Sequence, residues 1–321
     1  MTPEQLTALI VGISLFIIII GGIVFMLAYT MPIAEKLYRK QWTRNNDESF
    51  KRGCSAPEIA FHFDMYNQGM AFREANLSRI KEVEIESLGV RLVGEYYDFG
   101  FKKAIILLPG RTETCYYGAY YAEAFKNGGY NVMLIDPRAH GLSGGDKITL
   151  GKEEGIDALN WAKFLHDKLA NETIALYGLC GGATAACVAL TNPDCPKYIN
   201  AFIADGMFYS FYRVYKRHIR DEKHPIYPVV WEVLAKVKKN NNVNPYTLTP
   251  SNLIKKVKVP SLLLAGEFDK FSLPKETQLL LNKCGSSDKK MVLINNARHS
   301  HLRYDNKSSY DETVTTFLKT H

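Results

Sequence analysis

The stretch IALYGLCGGATAACVAL, residues 174–190, decides the fold. Its first part, Ile174 to Tyr177, is a short β-rich apolar run. Its last part, from Ala183, is small and helix-forming, and Gly178-Leu179-Cys180-Gly181-Gly182 joins the two as a G-x-C-x-G turn. A reactive side chain on so tight a strand-turn-helix elbow sits at strained backbone angles and leaves no room for neighbouring side chains, which is why glycines flank it. The turn lifts the Cys180 sulfur off the sheet. It also sets it at a helix N-terminus, where the positive end of the dipole and a nearby histidine favour the reactive thiolate. Taken alone, the same pattern also describes a buried cysteine beside a glycine-rich turn.

Outward from the elbow, apolar β-rich runs alternate with helical patterns, the signature of a mostly parallel sheet with helices on both faces. Strands are predicted at 81–86, 91–97, 104–108, 131–135, 174–177, 201–204, 261–265 and 291–294. Helices are predicted near 117–128, 152–170, 181–191, 274–284 and 309–319. The longest interruption, about 207–257, is rich in tyrosine and has helical runs of its own, so it reads as a small cap over a site. Phe208, Tyr209, Phe211, Tyr212, Tyr215, Tyr227 and Trp231 are its candidate pocket residues; equally, they pack the cap down.

Two further segments complete a nucleophile, acid, base order. AGEFDKF (265–271) follows the seventh predicted strand and brings Asp269; NNARHSH (295–301) follows the eighth and brings His299. Each lies past the C-terminal end of a strand, where open α/β sheets build their sites. In the expected chemistry His299 deprotonates the Cys180 thiol and later activates water, while Asp269 fixes the histidine's tautomer. His301 is the alternative base, and Glu267 and Asp205 are alternative acids. G-x-x-D after the seventh strand is the commoner arrangement and favours Asp269. The oxyanion hole is expected from the backbone N–H groups of Gly181, after the nucleophile, and Arg111, in the loop after the third strand. The Arg111 side chain reads either as a binder of a substrate carboxylate or phosphate or as a solvated surface arginine.

From these residues the chain resembles bacterial α/β-hydrolases of the serine aminopeptidase and monoacylglycerol-lipase-like group, especially those with an N-terminal membrane segment. The likeness covers roughly residues 80–321 and rests on LLPGRTET (107–114), IDPRAHGLSGG (135–145), ITLGKEEGIDALNWAKFL (148–165), the elbow, VPSLLLAGEFD (259–269) and NARHSH (296–301). It implies an α/β-hydrolase fold: an eight-stranded, mostly parallel sheet with flanking helices and a small helical cap. Asp136, Arg138, His140, Gly141 and Ser143 belong to a fold signature whose polar residues are structural more often than catalytic. The departure is cysteine where most of the group has serine. Dienelactone hydrolases resemble this chain in pairing a cysteine with histidine and aspartate, and the elbow is also similar to the G-x-C-x-G-G box of polyhydroxyalkanoate synthases, which are acyltransferases. The resemblance implies a hydrolase of carboxylic ester or thioester bonds acting through a Cys180-His299-Asp269 triad and an acyl-enzyme. An acyltransferase using the same cysteine and a non-catalytic scaffold of this fold are the alternatives.

At the N-terminus, residues 8–29 carry no charge and include LFIIII, a run of the length that spans a bilayer core. With Glu4 the only charged side chain before it, the run reads as one transmembrane helix rather than a cleaved signal peptide. Lys36, Arg39, Lys40 and Arg44 all follow it, which by the positive-inside rule sets the remainder on the cytoplasmic side. The expected organisation is therefore an anchor (1–30), a juxtamembrane connector with a polar patch TRNNDES and a helix around 57–74 (31–78), and the hydrolase domain (79–321), with the protein single-pass in the cell membrane. The connector's Phe61, Phe63, Met65, Tyr66 and Met70 are expected to pack on the domain.

Composition fits this reading. Of 321 residues, 46% are hydrophobic and 23% charged, which excludes a disordered chain. The net charge of +7 is scattered, without the aromatic-interleaved basic stripe of nucleic-acid binding, so no nucleic-acid partner is expected. Six cysteines in neither metal-type spacing nor scaffold density read as reduced thiols. No cofactor or metal is expected, since the glycine-rich segments match no P-loop or dinucleotide pattern. The expected partner is a small-molecule or lipid-derived acyl substrate.

Overall fold

Alternation of apolar runs with helix-forming segments produces a layered molecule in the computed structural model, which describes residues 1–44, 51–54 and 56–321. The strands are β1 (Ile80–Ser87), β2 (Val90–Tyr97), β3 (Lys103–Leu108), β4 (Asn131–Ile135), β5 (Thr173–Leu179), β6 (Ile199–Asp205), β7 (Ser261–Gly266) and β8 (Lys289–Ile294). They form one sheet in the order β1-β2-β4-β3-β5-β6-β7-β8, with β2 antiparallel to both neighbours and every other pairing parallel. All eight predicted strands are present, each extended by at most two residues at either end. The central strands are buried along their length because helices cover both faces.

The helices are α1 (Pro3–Trp42), α2 (Ala60–Ala75), α3 (Cys115–Asn127), α4 (Lys152–Asp167), α5 (Gly182–Thr191), α6 (Phe211–Asp221), α7 (Val229–Asn240), α8 (Pro250–Leu253), α9 (Pro274–Lys283), α10 (Leu302–Asp305) and α11 (Lys307–Thr320). One face of the sheet is covered by α3, α11 and α2, through Phe125, Tyr121, Tyr310, Val314 and Met65. The other face is covered by α4, α5 and α9, through Trp161, Leu165, Ala186 and Leu280. Small residues let α5 lie against the sheet: a Cβ on Gly182 would stand 2.0 Å from the Leu108 carbonyl oxygen, so only glycine fits there.

A third apolar cluster joins α6 and α7, from the interruption at 207–257, to the end of α1: Phe211, Val214, Tyr215, Val230 and Val233 pack with Ala34, Leu37, Tyr38 and Trp42. The connector expected to begin at residue 31 is therefore helical through Trp42. Pro32 lies inside α1 without ending it. Thr2 opens α1 with a capping box, its hydroxyl accepting from the Gln5 N–H while the Gln5 side chain accepts from the Thr2 N–H. Among the described residues α1 is the helix long and apolar enough to cross a membrane, with a window of mean hydropathy 2.9, none of it buried against the protein. From Asn45 the predicted polar patch falls outside the described residues. The helix read around 57–74 is α2, which buries Met65 and leaves Phe63 exposed.

Candidate active site

Cys180, Asp269 and His299 all lie past the C-terminal ends of parallel strands. Cys180 follows β5 with a φ of 49°, left-handed backbone held between β5 and α5. Its N–H donates to the Asp205 carbonyl at 2.8 Å, which ties the elbow to the end of β6. Gly178 is obligatory here, since a Cβ would meet Ala183 Cα at 2.3 Å. His299 Nε2 lies 3.2 Å from the Cys180 sulfur, and His299 Nδ1 lies 2.7 Å from Asp269 Oδ2. The other Asp269 oxygen accepts from the backbone N–H groups of Phe271 and Ser272 at 2.8 and 2.6 Å, so the buried carboxylate is fully engaged. Burial disfavours a charge on His299, but the Asp269 carboxylate and then the Cys180 sulfur outweigh it and hold the imidazole well above its ordinary value.

The alternatives read from the sequence are placed elsewhere. Among the described residues His301 has no partner for either ring nitrogen; it sits edge-on to Phe61 and His62 and is pushed down to about 3 by burial. Glu267 accepts from the Asn296 N–H and remains exposed. Asp205 is buried and accepts from the hydroxyls of Tyr177 and Tyr310 at 2.6 and 2.9 Å. The polar residues of the 135–145 segment are braces: Asp136 accepts from Arg52 and from the Cys115 and Leu142 N–H groups, Arg138 forks onto Asp157, and the Ser143 hydroxyl bridges β2 and β4.

The backbone N–H groups of Gly181 and Arg111, expected from the sequence to form an oxyanion hole, lie close together. A Cβ built on Gly181 would have the Arg111 nitrogen 3.9 Å away, and among the described residues neither of these N–H groups has a hydrogen-bond acceptor. The loop that carries Arg111 is drawn in by Glu113, whose Oε2 accepts from the Gly110 N–H at 2.8 Å. The Arg111 guanidinium is half-buried at the edge of the cavity. It donates to Gln41 Oε1 at 2.7 Å and lies over the Trp42 ring.

The site opens into a cavity of about 330 Å³. Phe208, Phe211 and Tyr215 line it, joined by Val214 from the same helix, but Tyr209, Tyr212, Tyr227 and Trp231 do not. Trp231 is 52% exposed, its ring tilted against that of Tyr227 at the outside of the cap. The residues that sequence reasoning missed come from remote segments: Trp42 from the end of α1, His62 from α2, and His218 and Phe271, whose rings stack at 4.2 Å. Burial pushes His218 down to about 2, so it is neutral and adds no cation to the cavity. All six cysteines are free thiols, and among the described residues no group of three or more His, Cys, Asp or Glu side chains is placed to hold a metal ion.

No protein-family model matches the chain. A crystal structure of the Pyrococcus furiosus esterase Pf2001 matches with a TM-score of 0.65 and 25% identity, covering 77% of this chain and 93% of that one. The fold is the α/β-hydrolase fold. The hyperthermophilic esterase from Pyrobaculum calidifontis shares this α/β-hydrolase architecture at a TM-score of 0.57 and 15% identity, over 80% of this chain and 92% of its own. In sequence, the chain is 26% identical over 217 residues to the uncharacterized protein YqkD of Bacillus subtilis, across 67% of this chain and 70% of that protein.

Proposed function

We propose that the chain is a membrane-anchored hydrolase of carboxylic ester or thioester bonds that works through Cys180. The observation that carries the proposal is the line of three side chains: His299 lies 3.2 Å from the Cys180 sulfur and 2.7 Å from Asp269. Similarity to the esterase Pf2001 supports ester-type substrates. In the proposed reaction His299 takes the thiol proton as sulfur attacks the acyl carbonyl. The oxygen that becomes negative is met by the Gly181 and Arg111 N–H groups. Collapse expels the alcohol or thiol with the proton from His299 and leaves an acyl-cysteine. His299 then deprotonates water, which attacks the acyl carbon; the acid departs and the thiol is restored. A thiolate leaves the tetrahedral adduct more readily than an amine does, so activated esters, lactones and thioesters suit this site better than amides. Phe208, Phe211 and Tyr215 give the acyl chain an apolar wall. With α1 spanning the bilayer and its basic residues on the far side of the apolar run, the site stands on the cytoplasmic face close to lipid-derived substrates.

The test is turnover across short- and long-chain esters, thioesters and peptide amides. Cys180→Ala is expected to abolish it apart from weak residual catalysis, whereas Cys180→Ser, completing a serine triad with the same His299 and Asp269, is expected to retain esterase activity. Full activity in Cys180→Ala on the best substrate found would refute the proposal. Added alcohol or amine acceptors distinguish transfer from hydrolysis by the products formed.

A further inference from the structure

Arg111 is gripped at both ends, and one grip comes from the end of the first helix. Its carbonyl oxygen lies 2.6 Å from His140 Nε2. Its guanidinium donates to Gln41 Oε1 at 2.7 Å, with the Cζ 5.1 Å from the centre of the Trp42 ring. Gln41 is itself fixed, since its Nε2 donates to Glu222 Oε1 at 3.1 Å beside the end of α6. Trp42 is buried against Phe211 and Tyr215, and its carbonyl accepts from Asn241 Nδ2 at 3.0 Å. The segment that carries Arg111, between β3 and α3, belongs to no strand or helix, so side-chain ties decide where its peptides point.

We infer that the last turn of α1 is part of the catalytic apparatus: Gln41, backed by Trp42, is a positioning residue that aims the Arg111 N–H at the oxygen developing negative charge above Cys180. The inference rests on the function proposed above and adds to it that the helix proposed as the anchor also shapes the oxyanion hole. An N–H donor stabilises the oxyanion only within about 2.7–3.1 Å of it, so a small drift of the Arg111 peptide costs rate without costing substrate affinity. Gln41 touches no substrate in this arrangement and acts through Arg111.

The test uses the full chain in lipid nanodiscs. Gln41→Met keeps the length of the side chain and removes the oxygen that holds Arg111; Gln41→Glu restores an acceptor; Arg111→Met cuts the same tie from the other side while leaving the peptide N–H in place. Two rates are measured at Cys180: acylation by p-nitrophenyl butyrate, which passes through an oxyanion, and alkylation by iodoacetamide, which does not. For Gln41→Met and Arg111→Met, kcat and acylation are expected to fall about tenfold with KM and alkylation within about twofold of wild type, a loss smaller than that of deleting a donor outright. Gln41→Glu is expected to recover most of the loss. Acylation that stays at the wild-type rate in both methionine variants, or that falls in parallel with alkylation, would overturn the inference and leave the hydrolase intact. A wild-type chain that alkylates at Cys180 yet is acylated by no activated ester would instead overturn the hydrolase reading, and the positioning role with it.

Discussion

At the scale of single residues, accessibility and partners separate the six thiols. Cys54, Cys115, Cys187 and Cys284 are buried, while Cys180 and Cys195 are half-buried, and only Cys180 faces an imidazole. Burial pushes the Cys195 thiol up. Iodoacetamide near neutral pH is therefore expected to label Cys180 first and Cys195 far more slowly, and peptide mapping by mass spectrometry checks the order. Glu113 makes a second prediction. Burial, relieved by the Gly110 N–H and by His299 and reinforced by Asp205, pushes its carboxyl from 4.5 up to about 7. A raised carboxyl holds its proton more tightly folded than unfolded, so its contribution to stability is complete below about pH 4.5 and is lost as pH rises through about 7. The gap is worth roughly 3 kcal/mol at about 1.4 kcal/mol per pH unit. Glu113→Gln, which keeps an oxygen for the Gly110 N–H, is expected to melt higher than wild type at pH 8 and level with it at pH 4. A constant difference across that range would mean that Glu113 does not titrate there. The meeting of Cys180, His299 and Asp269 was legible because each follows the end of a strand, and strand ends are readable as breaks in apolar runs. Gln41 and Trp42 were not legible, since no local signal tells a helix which distant loop it will touch.

Among the elements, the cap separates residues that the sequence could not. Phe211 is buried against Phe208 and Trp42 and lines the cavity, whereas Trp231 stands at the outer surface of α7. Phe211→Ala is expected to destabilise the protein by about 3 kcal/mol and to shift activity toward longer or bulkier acyl chains by enlarging the cavity. Trp231→Ala is expected to leave both melting temperature and chain-length preference close to wild type. Thermal melts and a series of p-nitrophenyl esters from two to twelve carbons, roughly the span a cavity of this class accommodates, check both. Both aromatics sit in amphipathic helical patterns, and composition alone does not say which side of a cap faces inward. The central strands were legible to within two residues because fully buried parallel strands read as unbroken apolar runs. The end of α1 was not: Pro32 and the basic residues after it resemble a helix terminus, yet Ala34, Leu37, Tyr38 and Trp42 recur at the spacing of one helical face and are buried by the cap.

For the molecule as a whole, the arrangement of charges about α1 gives a topological prediction. Protease added outside intact spheroplasts is expected to leave the chain beyond residue 45 uncut, and to digest it after lysis; ready digestion without lysis would place the site on the other side of the membrane. The class of fold was legible from the order of its elements, while the docking of the first helix onto the cap was not, because it joins residues some two hundred positions apart, as Thr30 meets Glu232, Glu35 meets Lys236 and Tyr38 meets Asn241. That docking has a mechanical consequence. A continuous 40-residue helix is a rod about 60 Å long, and its final dozen residues are clamped to the body of the protein. Rod and body then turn as one. If α1 spans a bilayer as proposed, a thin membrane would be met by tilt, and the tilt would swing the cavity mouth through the same angle, toward the lipid surface or away from it. Membrane thickness would then act as a torque on the proposed active site, and a chain cut free at residue 43 would lose both the lever and the wall that the lever's end provides.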